Sequence, residues 1–168
     1  MAASVTTSSA DETRAFGARL ARALPDGAVV ALVGELGSGK TTLVQGAARG
    51  LGATCDDGEA DDADDATRVT SPTFVIVREH SGERALVHVD AHRLRGPQEL
   101  LDLGSDEFLG RRGVAFVEWA DRVEGALPQP YLRLRLSHLA RGGRLFDIEG
   151  VGLGGDTLAG IALGAGQG

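Results

Sequence analysis

VVALVGELGSGKTTLVQGAARGL, residues 29–51, is the stretch on which the fold turns. Val29–Val33 is an uninterrupted apolar run too short for a helix, which predicts a strand buried on both faces, as in a parallel sheet. Gly34–Gly39 is a glycine-rich loop, and Lys40–Leu51 returns to the apolar spacing of a helix. Within it, Gly34-Glu-Leu-Gly-Ser-Gly39-Lys40-Thr41 matches G-x-x-x-x-G-K-[ST] in full, in the strand–loop–helix context that the motif requires. By composition such a match arises by chance in about two chains in a thousand.

The chemistry of that pattern is binding of a polyphosphate. Gly37 and Gly39 let successive backbone N–H groups turn inward as an anion nest, and the following helix directs the positive end of its dipole at the same point. Lys40 supplies a compact cation for the β- and γ-phosphates, and Thr41 a hydroxyl for Mg²⁺. Lys40 is also the sole lysine among 17 basic side chains, so the chain departs from arginine only where a point charge is needed. Loops specific for guanine read their base with Asn-Lys-x-Asp, and this sequence has no asparagine. Adenine is therefore the expected base, and ATP with Mg²⁺ the expected cofactors.

A loop of this kind needs a carboxylate at the end of a neighbouring strand to complete the metal shell. ALVHVD (85–90) ends in Asp90 and VAFVE (114–118) ends in Glu118, and spacing leaves open which one meets the metal. His88, Asp90 and His92 alternate as a zinc site on one strand face would, but no fourth ligand accompanies them, so zinc is not the expectation.

Around this centre the chain reads as one α/β domain over 1–150. Ser8–Asp11 offers helix caps ahead of Asp11–Leu24, where Phe16, Leu20 and Leu24 keep helical spacing. Phe74–Arg78 and Ala85–Asp90 form a hairpin across HSGE, and Gln98–Leu109 forms one or two short helices. Tyr131–Leu136 alternates apolar residues with arginine, as an edge or half-buried strand does, and Arg144–Glu149 is its partner. Residues 151–168 form a loose glycine-rich tail. Gly150, Gly152 and Gly155 copy dinucleotide-fingerprint spacing there, but no acidic residue follows at the required distance.

The net charge of -7 is local. Residues 55–67, CDDGEADDADDAT, hold seven acids and no base, and 24 − 7 leaves 17 acids against 17 bases elsewhere. The run reads as a solvated linker, with contact to a basic partner or a guard against misplaced RNA as its functional alternatives. Arg133, Arg135, Arg141 and Arg144 read as a solvated strand face rather than a direct tRNA contact. No apolar stretch is long enough to span a membrane. The opening MAASVTTSSADE lacks the basic and apolar regions of a secretory signal, and Cys55 has no partner for a disulfide, so a cytoplasmic protein is expected.

The set GELGSGKTT (34–42), Ser71-Pro72-Thr73-Phe74, His88-Val-Asp90-Ala-His92-Arg93-Leu94, and Val117-Glu118-Trp119 followed by Leu127-Pro128 resembles the TsaE family, formerly YjeE, small ATPases of bacterial tRNA threonylcarbamoyladenosine synthesis. Order and spacing agree from Thr13-x-x-x-Gly17 through Pro128. The resemblance implies a P-loop NTPase-like three-layer α/β fold with a small mixed sheet, and Mg-ATP held by Gly37, Ser38, Gly39, Lys40, Thr41 and Thr42. It implies a metal on Thr41 and Glu118, Asp90 near the γ-phosphate as base or water-positioning group, and Thr73 in a switch loop sensing that phosphate. Trp119 is implied to pack near the site or a partner, and Arg144 matches a late arginine that contacts the nucleotide.

The implied activity is ATP hydrolysis coupled to the cycle of the TsaB–TsaD pair, which modifies adenosine 37 of tRNA, so that tRNA is an indirect partner. A small-molecule kinase with Arg111 and Arg112 on a lid, and a non-catalytic docking module gated by ATP, are the competing readings. The chain departs from the family in His92, where a tyrosine is usual, and in the length of its acidic run.

Overall fold

The computed structural model describes residues 2–53, 76–154, 160, 161 and 164. Seven strands form one mixed sheet: β1 (Ala2–Thr7), β2 (Ala28–Gly34), β3 (Ile76–His80), β4 (Leu86–Asp90), β5 (Val114–Glu118), β6 (Tyr131–His138) and β7 (Arg144–Val151). Their spatial order is β1-β7-β6-β2-β5-β4-β3. The four central strands β6, β2, β5 and β4 run parallel, while β3 at one edge and β7 toward the other are antiparallel to their neighbours. The helices are α1 (Ala10–Ala23), α2 (Lys40–Gly50), α3 (Pro97–Asp102) and α4 (Ser105–Phe108).

The alternation of side chains along β2 builds two cores. Val30 and Leu32 face α1 and α2, joining Phe16, Leu20, Leu43, Phe116, Leu134 and Phe146. Val29 and Ala31 face the other way, into a second core with Val89, Val117, Leu100, Leu109 and Val123. The sheet is thus the middle of three layers, and all five residues of β5 are buried. Ile161 of the glycine-rich tail also seats in the first core.

The capping residues act as anticipated. Ser9 precedes α1 and its hydroxyl accepts from the Glu12 N–H at 3.1 Å, while the Glu12 carboxylate accepts from the Ser8 N–H at 2.7 Å. The helix is preceded by a strand that the sequence does not announce: β1 pairs with β7, and the hydroxyls of Thr7 and Thr13 meet at 2.8 Å in a buried bond.

Among the described residues the β3–β4 hairpin forms with Val77 opposite Val89, and residues 97–108 form two short helices. Tyr131–Leu136 is half-buried but is not an edge. It extends to His138 and lies between β2 and β7, paired in parallel with the first and antiparallel with the second, while β1 takes the edge beyond β7. The arginines of β6 alternate with Leu132, Leu134 and Leu136 of the first core, on a face that is half-buried at Arg133 and exposed at Arg135. Residues 54–75, which include Cys55, the acidic run, Ser71–Phe74 and Thr73, lie outside the described residues. No helix among the described residues is long and apolar enough to cross a membrane.

The two long helices approach so closely that glycine is required at the crossing. A Cβ on Gly46 of α2 would run into the Arg14 carbonyl, and one on Gly17 of α1 into the Leu43 carbonyl. These neighbours are backbone atoms and cannot rotate away. Gly46→Ala gains about 1 kcal/mol of helix propensity, but overpacking costs about 1–3 kcal/mol, with helix displacement on top. The expected outcome is net destabilisation, visible in thermal denaturation as a midpoint lower by a few degrees; an unchanged or raised midpoint would show that the helices can separate freely.

Candidate functional site

The exit ends of the parallel strands carry the site. At the end of β2 the chain turns through Glu35–Gly39 and enters α2 at Lys40. Gly37 (φ 75°) and Gly39 (φ 103°) occupy the left-handed region that a side chain would disfavour. Gly39 stands at the N-cap without a side-chain cap, so the first amides of α2 remain available to an anion. Ser38, fully buried, anchors the loop through its N–H to the Glu35 carbonyl at 3.1 Å.

Lys40 is 5% exposed and folds back over its own loop. Its Nζ donates to the carbonyls of Gly34 (2.6 Å) and Glu35 (2.8 Å) and to Ser38 Oγ (3.3 Å). It also lies 4.2 Å from the centre of the Trp119 ring, a cation–π distance. Burial lowers the ammonium's pKa below the ordinary lysine value, against the opposing pull of Glu118, Asp121 and Asp90. Trp119 reaches this position because the residue after β5 adopts φ 57°, a conformation costly for a bulky side chain. His92 packs on the same indole, ring centres 4.7 Å apart.

Glu118 closes the site from β5. It is 4% exposed, and both carboxylate oxygens are engaged: Oε1 accepts from Thr41 Oγ1 at 2.8 Å, and Oε2 pairs with His88 Nε2 at 3.0 Å. Burial alone would raise its pKa. The bond and electrostatic pull of His88, the Thr41 hydroxyl and the charge of Lys40 outweigh this and hold it below the usual carboxylate range. Asp90 is the register partner of Glu118 on β4, but its Oδ1 accepts from the His92 N–H at 3.0 Å in the turn that follows. Of the two strand-end carboxylates, Glu118 is the one that meets Thr41. Their donors are all hard oxygens beside an anion nest, a set that fits Mg²⁺ and offers little to a softer metal.

The alternating His88, Asp90 and His92 do not act as one cluster: His88 bonds Glu118, His92 stacks on Trp119, and among the described residues no group of three or more His, Cys, Asp or Glu is placed to hold a metal ion.

Arg144 arrives from the start of β7. It donates to the carbonyls of Gly142 (2.8 Å), Gly143 (3.0 Å) and Gly37 (3.2 Å), tying the β6–β7 turn to the loop. Beside it opens a cleft of about 210 Å³, lined by Gly37, Gly39, Lys40, Thr41, Thr42 and Arg144 together with Ser9, Ala10, Thr13, Leu36 and Gly142. The structure therefore gathers the described residues assigned to the site from sequence around this loop, with Asp90 close enough for its charge to act on Lys40 while its carboxylate bonds the His92 N–H. It adds three features that pattern reading missed: His88 behind Glu118, the start of α1 as a wall of the cleft, and Leu36, 84% exposed at its lip. Only the helical-cap signal at Ser8–Asp11 hinted at the second.

Arg133 and Arg144, read from sequence as parts of one solvated strand face, have separate duties. Arg133 is bound to Glu124, Glu149 and Tyr131, whereas Arg144 serves the loop. Arg111 and Arg112 line a different cleft, with Asp26, Arg84 and Gly113, at the entry end of β5. They are separated from Glu118 by the whole strand.

Comparison with known proteins gives the chain's family. The family model for threonylcarbamoyl adenosine biosynthesis protein TsaE matches residues 7–145. The chain is 36% identical over 143 residues to the tRNA threonylcarbamoyladenosine biosynthesis protein TsaE of Bacillus subtilis, covering 84% of this chain and 82% of that one. It is 43% identical over 127 residues to its namesake in Streptomyces coelicolor (73% and 77% covered) and 35% identical over 140 residues to that of Treponema pallidum (83% and 95%). Among solved structures, the crystal structure of Bacillus subtilis YdiB superposes with a TM-score of 0.74 at 29% identity, covering 99% of this chain and 95% of that one. With its mixed sheet between helical layers and its P-loop-like turn, the chain belongs to the TsaE family.

Proposed function

We propose that the protein is a Mg-dependent ATPase of tRNA threonylcarbamoyladenosine formation, in which ATP hydrolysis drives the cycle of the TsaB–TsaD pair. The observation that carries the reading is the 2.8 Å bond between Thr41 and Glu118, 77 residues apart, beside the amide nest and the chain's one lysine. The amides of Gly37 and Gly39, those of the first turn of α2 and the Lys40 ammonium take the phosphates, with the Ser38 amide joining them if it leaves the Glu35 carbonyl. Thr41 and Glu118 would hold Mg²⁺, which would supply neutralising charge to the polyphosphate. The nucleoside half occupies the cleft between Thr42, Arg144 and the start of α1. Asp90, at the end of the adjacent strand, orients the attacking water, and Thr73 senses the γ-phosphate.

Binding requires Lys40 to exchange its bonds to the loop carbonyls for bonds to phosphate. That exchange suits an ATPase whose loop reports occupancy to a partner. A kinase needs cationic groups over the acceptor, and Arg111 and Arg112 stand at the wrong end of β5 for that.

Lys40→Ala removes the charge-assisted bonds and should weaken Mg-ATP binding by about tenfold to a hundredfold in calorimetry, the equivalent of about 1.5–3 kcal/mol; unchanged binding would move the nucleotide elsewhere. Glu118→Gln keeps hydrogen-bonding capacity toward Thr41 and His88 but removes the charge. It should fold, bind nucleotide without metal as the parent does, and lose the gain that Mg²⁺ provides. Assays of the purified chain, alone and with TsaB–TsaD, should release inorganic phosphate with no phosphorylated small molecule. A phosphorylated product would establish a kinase, and ATP bound but uncleaved in both conditions would establish a docking module.

A further inference from the structure

Nothing in the roles assigned so far uses His88, yet it is well placed and mostly buried. Its side chain is 16% exposed and that of Glu118 5%. His88 lies on β4 opposite Phe116, two pairs behind the Asp90–Glu118 pair and on the same face of the sheet, so its ring reaches the carboxylate from the strand side. An ionised carboxylate only accepts hydrogen bonds, so the proton of the 3.0 Å contact is on His88 Nε2.

A carboxylate at a strand end can rotate about its terminal torsion, and that torsion is soft. With Oε2 held by His88, rotation would break a largely shielded, part-buried hydrogen bond. Oε1 is thereby kept on the side of Thr41 Oγ1. Groups behind a metal ligand fix its orientation in this way, and their removal typically weakens metal binding about tenfold to a hundredfold.

We propose that His88 is a positioning residue for the metal: its Nε2–H pins one oxygen of Glu118 so that the other is presented, together with the Thr41 hydroxyl, to Mg²⁺. The inference rests on the reading of Thr41 and Glu118 as the metal-holding pair. It assigns His88 no contact with the metal, the nucleotide or the attacking water, since its Nε2 is already spent on Glu118.

The test uses two polar replacements of similar bulk. Gln carries an amide N–H at nearly the reach of histidine Nε2, whereas Asn falls one bond short. Nucleotide affinity of the whole chain is measured by calorimetry in EDTA and then across a Mg²⁺ titration, with thermal denaturation of each variant alongside. His88→Asn should need about tenfold more Mg²⁺ for half of the metal-linked gain in affinity, and His88→Gln should stay within about threefold of the parent. Affinity in EDTA should be unchanged in both, because the amide nest and Lys40 do not depend on His88.

The proposal is overturned if His88→Asn keeps the parent's Mg²⁺ requirement. It is equally overturned if Asn and Gln lose affinity alike with and without metal, since that pattern marks a purely structural residue. A parent protein that gains no affinity from Mg²⁺ would instead refute the assignment of Thr41 and Glu118, a result separable from either of these.

Discussion

A carboxylate buried to the extent of Glu118 is expensive unless every exposed lone pair is answered. Here the answers come from two parts of the fold at once: the first turn of α2 through Thr41 and the charge of Lys40, whose Nζ is itself bonded to the loop carbonyls, and the strand β4 through His88. Meeting that one charge therefore fixes how the helix, the loop and two parallel strands stand relative to each other. A shift of α2 along its axis would break the Thr41 bond, and a slip of β4 against β5 would break the His88 bond. Each would leave a charge stranded in the interior.

The sheet makes such convergence possible. Parallel strands end on the same side, and the crevice beyond their carboxyl ends is where open α/β folds bind ligands. β2 delivers the loop there, β5 delivers Glu118 and Trp119, and β4 delivers Asp90 and His92. The antiparallel flank contributes Arg144 because β7 starts where β6 ends, beside the loop that follows the adjacent β2. The glycine crossing of α1 and α2 then lets the beginning of α1 stand close enough to form a wall of the cleft.

What could be read in advance follows the range of the interactions. The strand, loop and helix of residues 29–51 are local, and their apolar spacing, left-handed glycines and single lysine identify them without tertiary information. β4 and β5 were legible as short apolar runs ending in an acid, and α1 through its cap and periodic Phe16 and Leu20. β1 was not, because AASVTT is short and small-sided and becomes a strand only by pairing with β7. The interior place of β6 was hidden for the same reason: alternation reveals one solvated face but says nothing of lateral neighbours. At the site, motif residues were predictable, while the His88–Glu118 bond depends on strand register and on two side chains 30 residues apart. The alternation of His88, Asp90 and His92 invited a metal-site reading, and only the partners of each ring separate them.

Trp119 is the chain's sole tryptophan, and it is held against both the ammonium of Lys40 and the His92 ring. All indole fluorescence of the protein thus originates at the mouth of the loop. Any ligand that draws Lys40 off the ring alters the field at that single emitter, so the intrinsic emission of the unlabelled molecule is a direct optical record of events at this one place.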